Sequence, residues 1–233
     1  MDIPSFLIQL LNGVQYGLLL FLVASGLTLI FGIMGIINLA HGSFYMIGAY
    51  MAFSLSALTG NLFAAIVLGV VLSVALGVFL EWALFSRLYR RDHLEQVLLT
   101  YGLILVFEEL RSLIVGNDVH GVAVPAIFNW SVPLTETLSY PVYRLFMSAV
   151  CVVLAVLLYL LMAKTRIGMM IRAGSSNREM VQSLGLNINL VYRLVFALGV
   201  ALAAFAGMLA APAKGNSASS SSAAASAIAF RLS

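Results

Sequence analysis

The chain has 233 residues, of which 62% are hydrophobic and 9% are charged, and its formal net charge is +3. Soluble domains carry about 25% charged residues, so this composition and a mean hydropathy of +1.06 exclude a soluble protein and predict an integral membrane protein. The basic residues do not indicate a nucleic-acid-binding protein, because they fall in two loops beside predicted membrane spans. The single cysteine, Cys151, excludes an internal disulfide and is predicted to be a small core residue.

The first 80 residues predict three membrane spans. Residues 3–80 contain no Asp, Glu, Lys or Arg, whereas about 20 apolar residues suffice for one crossing. We place the spans at 7–31, 37–58 and 62–85, with a break at residues 32–35 and a turn at 59–61. Asp2 stands where a secretory signal would carry positive charge, so the first span is expected to stay in the mature protein.

Small residues indicate where these spans touch other helices. Gly13 and Gly17 have the small-xxx-small spacing of close helix contacts, and Gly69, Ser73 and Gly77 repeat it in the third span. Both stretches are predicted to be helix-packing seams.

A polar cluster follows the break between the first and second spans. Asn38, His41, Gly42 and Ser43 lie directly after two glycines, which predicts an interrupted helix at this point. Irregular backbone at membrane depth persists only where it is buried in protein or lines a wet cavity, and its free helix ends can meet a polar solute. The alternative is a tight cytosolic turn, with Asn38 as an ordinary cap and His41 as a hydrogen-bonded core residue.

A fourth span, at 96–115, carries ionisable groups. Such groups are costly in a membrane and usually face protein or water, and the spacing of Glu108 and Arg111 predicts a structural pair on one face, next to Glu109. At the inner end of the third span, Glu81 and Trp82 are predicted to be interfacial anchors.

The remaining chain predicts a loop at 117–141 and spans at 143–163 and 191–211. The fold class is therefore an all-α polytopic transmembrane bundle of about six spans, since lipid offers no partners to unpaired backbone groups. The loops at 86–95 and 164–193 carry most of the Lys and Arg residues, which places both in the cytosol and places the loop at 116–142 and the N-terminus outside.

The cytosolic segment 164–193 predicts a short capped helix. Ser176 and Glu179 have the spacing of a capping box, and Gly185 stands where a left-handed residue would end the helix. Met180, Val181 and Leu184 share one apolar face. Two turns are not stable alone in water, so this face is expected to be exposed in the isolated chain and to need a partner. The alternative is a capped connector between two spans.

Two motifs of this sequence resemble motifs of a known protein family. The segment with Arg172-Ala173 and Leu184-Gly185, together with Asn38-Leu39-Ala40-His41-Gly42, resembles the permease subunits of ABC importers for branched-chain amino acids, over residues 5–212. The resemblance implies that the cytosolic segment docks on an ATPase. The residues that it assigns to ATPase coupling are Arg172, Ala173, Ser176, Glu179, Met180, Val181, Leu184 and Gly185.

The resemblance also implies the other parts of the transporter. It implies a substrate path along Asn38, His41, Gly42 and Ser43 in a bacterial inner-membrane protein. The implied partners are a second homologous permease subunit, two cytosolic ATP-binding subunits and an external solute-binding protein. The implied solutes are branched-chain amino acids, with urea, short amides and other small solutes as alternatives.

Several motifs of catalysis are absent from the sequence. It contains no phosphate-binding G-x-x-x-x-G-K-[ST] loop, no nucleophile elbow and no H-E-x-x-H. We therefore predict no catalytic residue, no metal ligand and no cofactor, and expect ATP to be hydrolysed by a partner subunit. A channel or secondary carrier without an ATPase stays open, although no internal inverted repeat supports it.

The C-terminal residues differ in composition from the rest. Residues 216–227 are all Asn, Ser or Ala, which cannot bury enough apolar surface to become ordered. We expect a permease domain at 1–212 and a disordered or aberrant tail at 213–233. The chain then looks truncated relative to the family, and a fragment that only inserts into the membrane is a further alternative.

Overall fold

The computed structural model describes the chain except for residues 1–2, 90, 117–120, 136–137, 184, 186 and 232–233, with backbone alone at 3, 134–135, 138, 178 and 213–231. The helices are α1 (Ile3–Met34), α2 (His41–Thr59), α3 (Leu62–Leu80), α4 (Ser86–Leu88), α5 (His93–Val115), α6 (Val142–Lys164), α7 (Arg166–Ser176), α8 (Arg178–Ser183) and α9 (Ile188–Arg231). A π-helical turn, Glu81–Phe85, joins α3 to α4.

The described residues confirm an all-α membrane fold. Four segments are long and apolar enough to cross a membrane: Pro4–Met34, Leu62–Leu88, Val142–Lys164 and Ile188–Pro212. The other two predicted spans correspond to α2 and α5, which are helices of 19 and 23 residues. Both are more polar, because α2 begins with His41 and contains several serines and tyrosines, and α5 contains three glutamates and an arginine.

Glycines set the ends of α1 and α2. Gly35 follows α1 with φ of +66°, and Gly60 follows α2 with φ of +65°. Glycine adopts positive φ without the steric penalty that a Cβ would bring. Asn61 then caps α3, because its side-chain oxygen accepts a hydrogen bond from the Phe63 N–H at 2.9 Å. The predicted break and turn are therefore confirmed.

Helix α9 lies at the centre of the bundle, in contact with α1, α2 and α3. Small residues bring the backbones together there. A Cβ on Gly48 of α2 would overlap the Ala204 carbonyl, and a Cβ on Gly207 would overlap the Tyr45 carbonyl. The predicted seam of α3 is confirmed, since a Cβ on Gly77 would lie 2.8 Å from the Ala197 Cα.

The predicted seam at Gly13 and Gly17 is wrong for the described residues. A Cβ added at either glycine would meet nothing within 4 Å. The spacing alone does not make a seam, because close contact also needs a second helix on that face of α1.

Two hydrophobic clusters fill the two ends of the bundle. We call one end the basic end, because Arg87, Arg172 and Arg193 lie near its cluster, which includes Leu88 and Ile171. The other is the hairpin end, where Tyr140 and Arg144 contact Asn12 of α1. Its cluster includes the buried Cys151, as predicted, with Leu22, Met147 and Leu209.

The loop between α5 and α6 contains structure that the sequence did not predict. A 3-10 turn, Ala126–Phe128, precedes an antiparallel hairpin of β1 (Ser131–Thr135) and β2 (Leu138–Pro141). Proline in both strands removes a ladder donor, which hides such a hairpin from sequence patterns. Helix α9 continues through Pro212 to Arg231. The proposed boundary between a domain at 1–212 and a tail at 213–233 stays a prediction.

Candidate functional site

The break between α1 and α2 forms the first candidate site. After Gly35 the chain makes an irregular turn, and α2 begins at His41. The backbone N–H of His41 donates to the Asn38 carbonyl at 3.2 Å, and the N–H of Ser43 donates to the Ala40 carbonyl at 3.0 Å. Ala40 is the residue before the helix and supplies no side-chain cap. The helix therefore starts with part of its first turn uncapped.

The start of α2 lies inside the bundle. His41 Nε2 is 2.9 Å from the carbonyl oxygen of Val23 in α1. Val23 precedes the end of α1 at Met34 by 11 residues, or about 16 Å at 1.5 Å per residue. At the same level α1 meets α9, since a Cβ on Gly26 would lie 2.8 Å from the Gly199 oxygen. This depth favours an interrupted intramembrane helix over a tight turn at the end of the bundle.

The polar residues of this turn are buried and only partly hydrogen-bonded. Asn38 is 2% exposed, and within the described part of the chain neither its Oδ1 nor its Nδ2 has a hydrogen-bond partner. His41 is 3% exposed, and its Nδ1 likewise has none there. Ser43 is also buried, whereas Gly42 is exposed. Asn38 is thus not the cap that the alternative required, although His41 does bond to the core through Nε2.

An aromatic layer lies beside the polar turn. The His41 ring meets the edge of Phe44 at a centroid distance of 6.1 Å. Phe44 in turn contacts Phe107 of α5 at 5.8 Å and Phe196 of α9 at 6.2 Å, both edge to face. The turn is therefore held between α1 and a layer drawn from three helices.

The cytosolic segment predicted to couple to an ATPase begins with α7. Thr165 caps this helix by accepting a hydrogen bond from the Gly168 N–H at 3.1 Å. Gly168 lies so close to α6 that a Cβ there would overlap the Met162 carbonyl, and the Arg172 guanidinium donates to that same carbonyl. Ala173 is half-buried against the cluster of the basic end. Helix α7 is therefore fixed to the end of α6.

The predicted capping box of α8 is wrong. Asn177 caps this helix, because its Oδ1 accepts a hydrogen bond from the Met180 N–H at 3.0 Å. Ser176 is the last residue of α7, a helix that the sequence did not predict, and Glu179 is exposed. Asn serves as an N-cap as well as Ser does, so the helix start moves by one residue. Gly185 has φ of +80° and donates to the Gln182 carbonyl at 2.9 Å, which confirms the predicted glycine stop.

The predicted exposed face of α8 also needs correction. Met180 is 62% exposed, as predicted, but Val181 is 3% exposed and packs in the cluster that contains Ile171 and Ile188. Leu184 lies outside the described residues. Val181 is covered by the chain itself because α8 leans on α7 and α9, so its apolar contact is intramolecular.

A buried carboxylate near the basic end was missed by sequence reasoning. Glu81 is fully buried in the π-helical turn rather than at an interface, whereas Trp82 is exposed. The Glu81 carboxylate accepts hydrogen bonds from Arg193 Nε at 2.9 Å and from the Tyr89 hydroxyl. Burial and the bond to Glu81 raise the pKa of Tyr89, which keeps that hydroxyl protonated as the donor. Because 112 positions separate Glu81 from Arg193, no local spacing rule pairs them.

The predicted pair of Glu108 and Arg111 is not among the described ion pairs. Both Glu108 and Glu109 are exposed on α5. Arg111 instead donates to the Tyr50 hydroxyl of α2 and to the Gly116 carbonyl, both at 3.3 Å, and its guanidinium lies over the Tyr50 ring. Arg111 therefore fastens α5 to α2.

The described residues contain no cluster of three or more His, Cys, Asp or Glu side chains that could hold a metal ion. The buried turn brings hydrogen-bonding side-chain atoms and the start of a helix together inside an apolar bundle. Helices α7 and α8 form a short surface segment that is held on the bundle by its caps and by the buried Ile171 and Val181.

Comparison with known proteins places these features in context. A family profile described as branched-chain amino acid transport system / permease component matches residues 9–232. The chain is 33% identical over 219 residues to the high-affinity branched-chain amino acid transport system permease protein LivH of Escherichia coli K12, covering 88% of this chain and 70% of that relative. It is 29% identical over 223 residues to the corresponding permease protein BraD of Pseudomonas aeruginosa, covering 89% and 71%. No solved structure matches the chain.

Proposed function

This chain belongs to the family of permease components of branched-chain amino acid transport systems, and we propose that it forms part of the path by which branched-chain amino acids cross a bacterial inner membrane. It works there as a subunit of an ABC importer. A second homologous permease subunit completes the path, two cytosolic ATP-binding subunits hydrolyse ATP, and an external binding protein delivers the solute.

The observation that carries the proposal is the buried turn at the start of α2. Asn38 and His41 hold unpaired polar atoms, and the His41 ring lies beside Val23, about 16 Å along α1 from its end. Unpaired buried polar groups cost free energy, so a bundle keeps them where a polar ligand or water meets them. Together with Gly42 and Ser43 they form the proposed substrate path.

The coupling surface is proposed on α7 and α8. The capped segment includes Arg172, Ala173, Ser176, Glu179 and Gly185, and Met180 is an exposed apolar residue of α8. Val181 supports the segment from inside the bundle. Leu184 is also part of the proposed surface, and its assignment rests on the sequence alone. An ATPase that covers Met180 moves α8, and α8 leads directly into α9.

The test is reconstitution of the permease with its partner permease, the ATP-binding subunits and the binding protein in liposomes. We expect ATP-dependent uptake of radiolabelled leucine, isoleucine or valine, and no uptake when an ATPase subunit carries an inactivating substitution. Uptake of urea or a short amide in place of these amino acids would contradict the proposed substrate. Uptake that persists without the ATPase would contradict the importer and favour a channel or secondary carrier.

A further inference from the structure

We propose that the cavity between the π-helical turn and the start of α5 binds the phosphate of an anionic membrane phospholipid. Arg87 and Arg91 hold the phosphodiester, and the acyl chains of the lipid lie along the apolar surfaces of α3 and α5. No residue of this site belongs to the turn at Asn38, and the site does not depend on which solute the protein carries.

The cavity combines an apolar wall with charged side chains. It has a volume of about 390 Å³ and lies at the basic end of the bundle. Its walls come from the π-helical turn with α4 on one side and from the first turns of α5 on the other. The apolar part of the lining includes Leu84, Leu88 and Leu99, and the charged part consists of Arg87, Arg91 and Glu95. A phospholipid has the same two chemistries where its phosphate meets its chains.

The two arginines bring donors to the same cavity. One Arg87 guanidinium nitrogen donates to the Ala83 carbonyl, and Arg87 forms no ion pair among the residues that the structure describes. The turn after α4 brings Arg91 back to the cavity, since its backbone N–H donates to the Leu88 carbonyl at 3.0 Å. A guanidinium carries five N–H donors in a planar fork that matches the oxygens of a phosphate. Both arginines therefore have donors left for one phosphate.

Glu95 does not block the site. Its carboxylate pairs with Arg91 Nε at 3.7 Å, and the two side chains are 54% and 64% exposed. An exposed ion pair of this kind is weak, because water and salt screen both charges. A phosphate can therefore share Arg91 with Glu95 at little cost.

The formal charge of the lining selects a net anion. Two arginines and one glutamate line the cavity, so two positive charges and one negative charge give a net charge of +1. A phosphodiester with an uncharged head group carries one negative charge and neutralises this lining. A lipid with an ammonium group in its head is net neutral and leaves the lining charge uncompensated. We therefore expect phosphatidylglycerol to bind more strongly than phosphatidylcholine.

The cavity lies at the level of the lipid head groups. The apolar segment Leu62–Leu88 has 27 residues, or about 40 Å at about 1.5 Å per residue. The hydrocarbon core of a bilayer is only about 30 Å thick, and the head groups extend it to about 40–45 Å. The last turns of this segment, which include Arg87, therefore reach the head-group layer. Trp82 is exposed just before them, and tryptophan is enriched at membrane interfaces.

Exposed apolar side chains flank the cavity on both sides. On α5, Leu94 and Leu98 are 83% and 71% exposed and share one face, beside the lining residue Leu99. On the other side, the exposed rings of Phe79 and Trp82 lie 6.5 Å apart. The two acyl chains of one phospholipid would therefore find an apolar surface on each side of its phosphate.

The measurement uses the tryptophan that adjoins the cavity. The chain has two tryptophans, so Trp130→Phe leaves Trp82, in the same π-helical turn as Ala83 and Leu84, as the only one. This variant is reconstituted into vesicles of phosphatidylcholine and phosphatidylglycerol, with bromine in the acyl chains of one lipid or the other. Bromine quenches a nearby indole, so the two quenching curves give the relative binding of the lipids beside Trp82. Phosphatidylglycerol should bind about fivefold more strongly, the factor expected for one net positive charge at a membrane surface. Equal quenching by the two lipids would overturn the proposal.

Charge variants in the same background test the assignment of the lining. Arg87→Gln combined with Arg91→Gln leaves only Glu95, so the preference should fall to within about twofold of none, whereas Glu95→Gln should raise it. The matched control is Arg166→Gln, which removes an exposed arginine of α7 at the same end without touching the lining. A preference that falls equally in the control, or that Glu95→Gln lowers, would overturn the proposal. If the double variant does not reconstitute, Glu95→Gln decides.

A soluble phosphate distinguishes a lipid site from a simple anion site. Millimolar glycerol phosphate, compared with chloride at the same ionic strength, should leave the preference for phosphatidylglycerol unchanged, because it has no acyl chains to lie on the apolar surfaces. Loss of the preference with glycerol phosphate alone would show a soluble-anion site and overturn the lipid assignment.

Discussion

Replacing Arg193 by Met should destabilise the bundle, because it leaves the buried Glu81 carboxylate without its cationic partner. Glu81 has a side-chain exposure of 1% and Arg193 of 41%, with 2.9 Å between the paired atoms. Removal of one member of a buried pair costs about 3–5 kcal/mol. Water reaches the Arg193 side of this pair, so we expect the lower value, about 3 kcal/mol. For a chain of this size that corresponds to a fall in Tm of roughly 6–12 °C.

The assay is thermal unfolding of the purified permease in detergent, with Arg91→Met as the matched control. Arg91 pairs with Glu95 at 3.7 Å, and these side chains are 64% and 54% exposed. Exposed pairs contribute about 0–1 kcal/mol, so this control should shift Tm by at most a few degrees. The double variant Glu81→Gln with Arg193→Met should recover most of the lost stability, since it leaves no buried charge. Equal shifts for Arg193→Met and Arg91→Met would refute the reasoning.

Three further predictions concern packing, coupling and topology. Gly207→Val should lower the free energy of unfolding by about 3 kcal/mol, because a Cβ there overlaps the Tyr45 carbonyl. Gly17→Val, with open space around it, should leave the free energy of unfolding unchanged in the same thermal assay. Met180→Asp should reduce co-purification of the ATPase and leave the Tm of the permease unchanged, because Met180 is exposed. Val181→Asp should lower the Tm, because it buries an unpaired charge. The reverse pattern would contradict the assignment of these two residues. In a variant without Cys151, a thiol reagent added outside intact cells should label Asn129→Cys but not Arg172→Cys, and labelling of Arg172→Cys would reverse the predicted orientation.

The sequence was sufficient to predict features of the fold where a single residue determines the local backbone conformation. The glycines at 35, 60 and 185 predicted helix ends, and each adopts positive φ. The lack of charge over residues 3–80 and the long apolar runs predicted the membrane fold. These features depend on composition and on the ability of glycine to adopt positive φ. Both can be judged from the sequence without knowing which residues lie nearby in space.

Features set by distant contacts could not be read in this way. Val181 shares a helical face with Met180 by spacing, but whether a face is exposed depends on how α8 leans on the bundle. Glu81 and Arg193 pair because the end of α3 and the start of α9 lie side by side, and nothing in the sequence around either residue shows this. The seam at Gly13 and Gly17 failed for the same reason, since spacing reports only one of two surfaces.

The close crossing of α2 and α9 has a mechanical consequence. Gly48 lies against the Ala204 carbonyl and Gly207 against the Tyr45 carbonyl, so the two helices meet through main chain that has no rotamers to change. Helices that meet through side chains slide by small rotamer shifts, whereas helices that meet through backbone move together or come apart. We therefore expect a displacement of α9 to move α2 with it as one rigid unit, together with the turn that holds Asn38 and His41 at the start of α2.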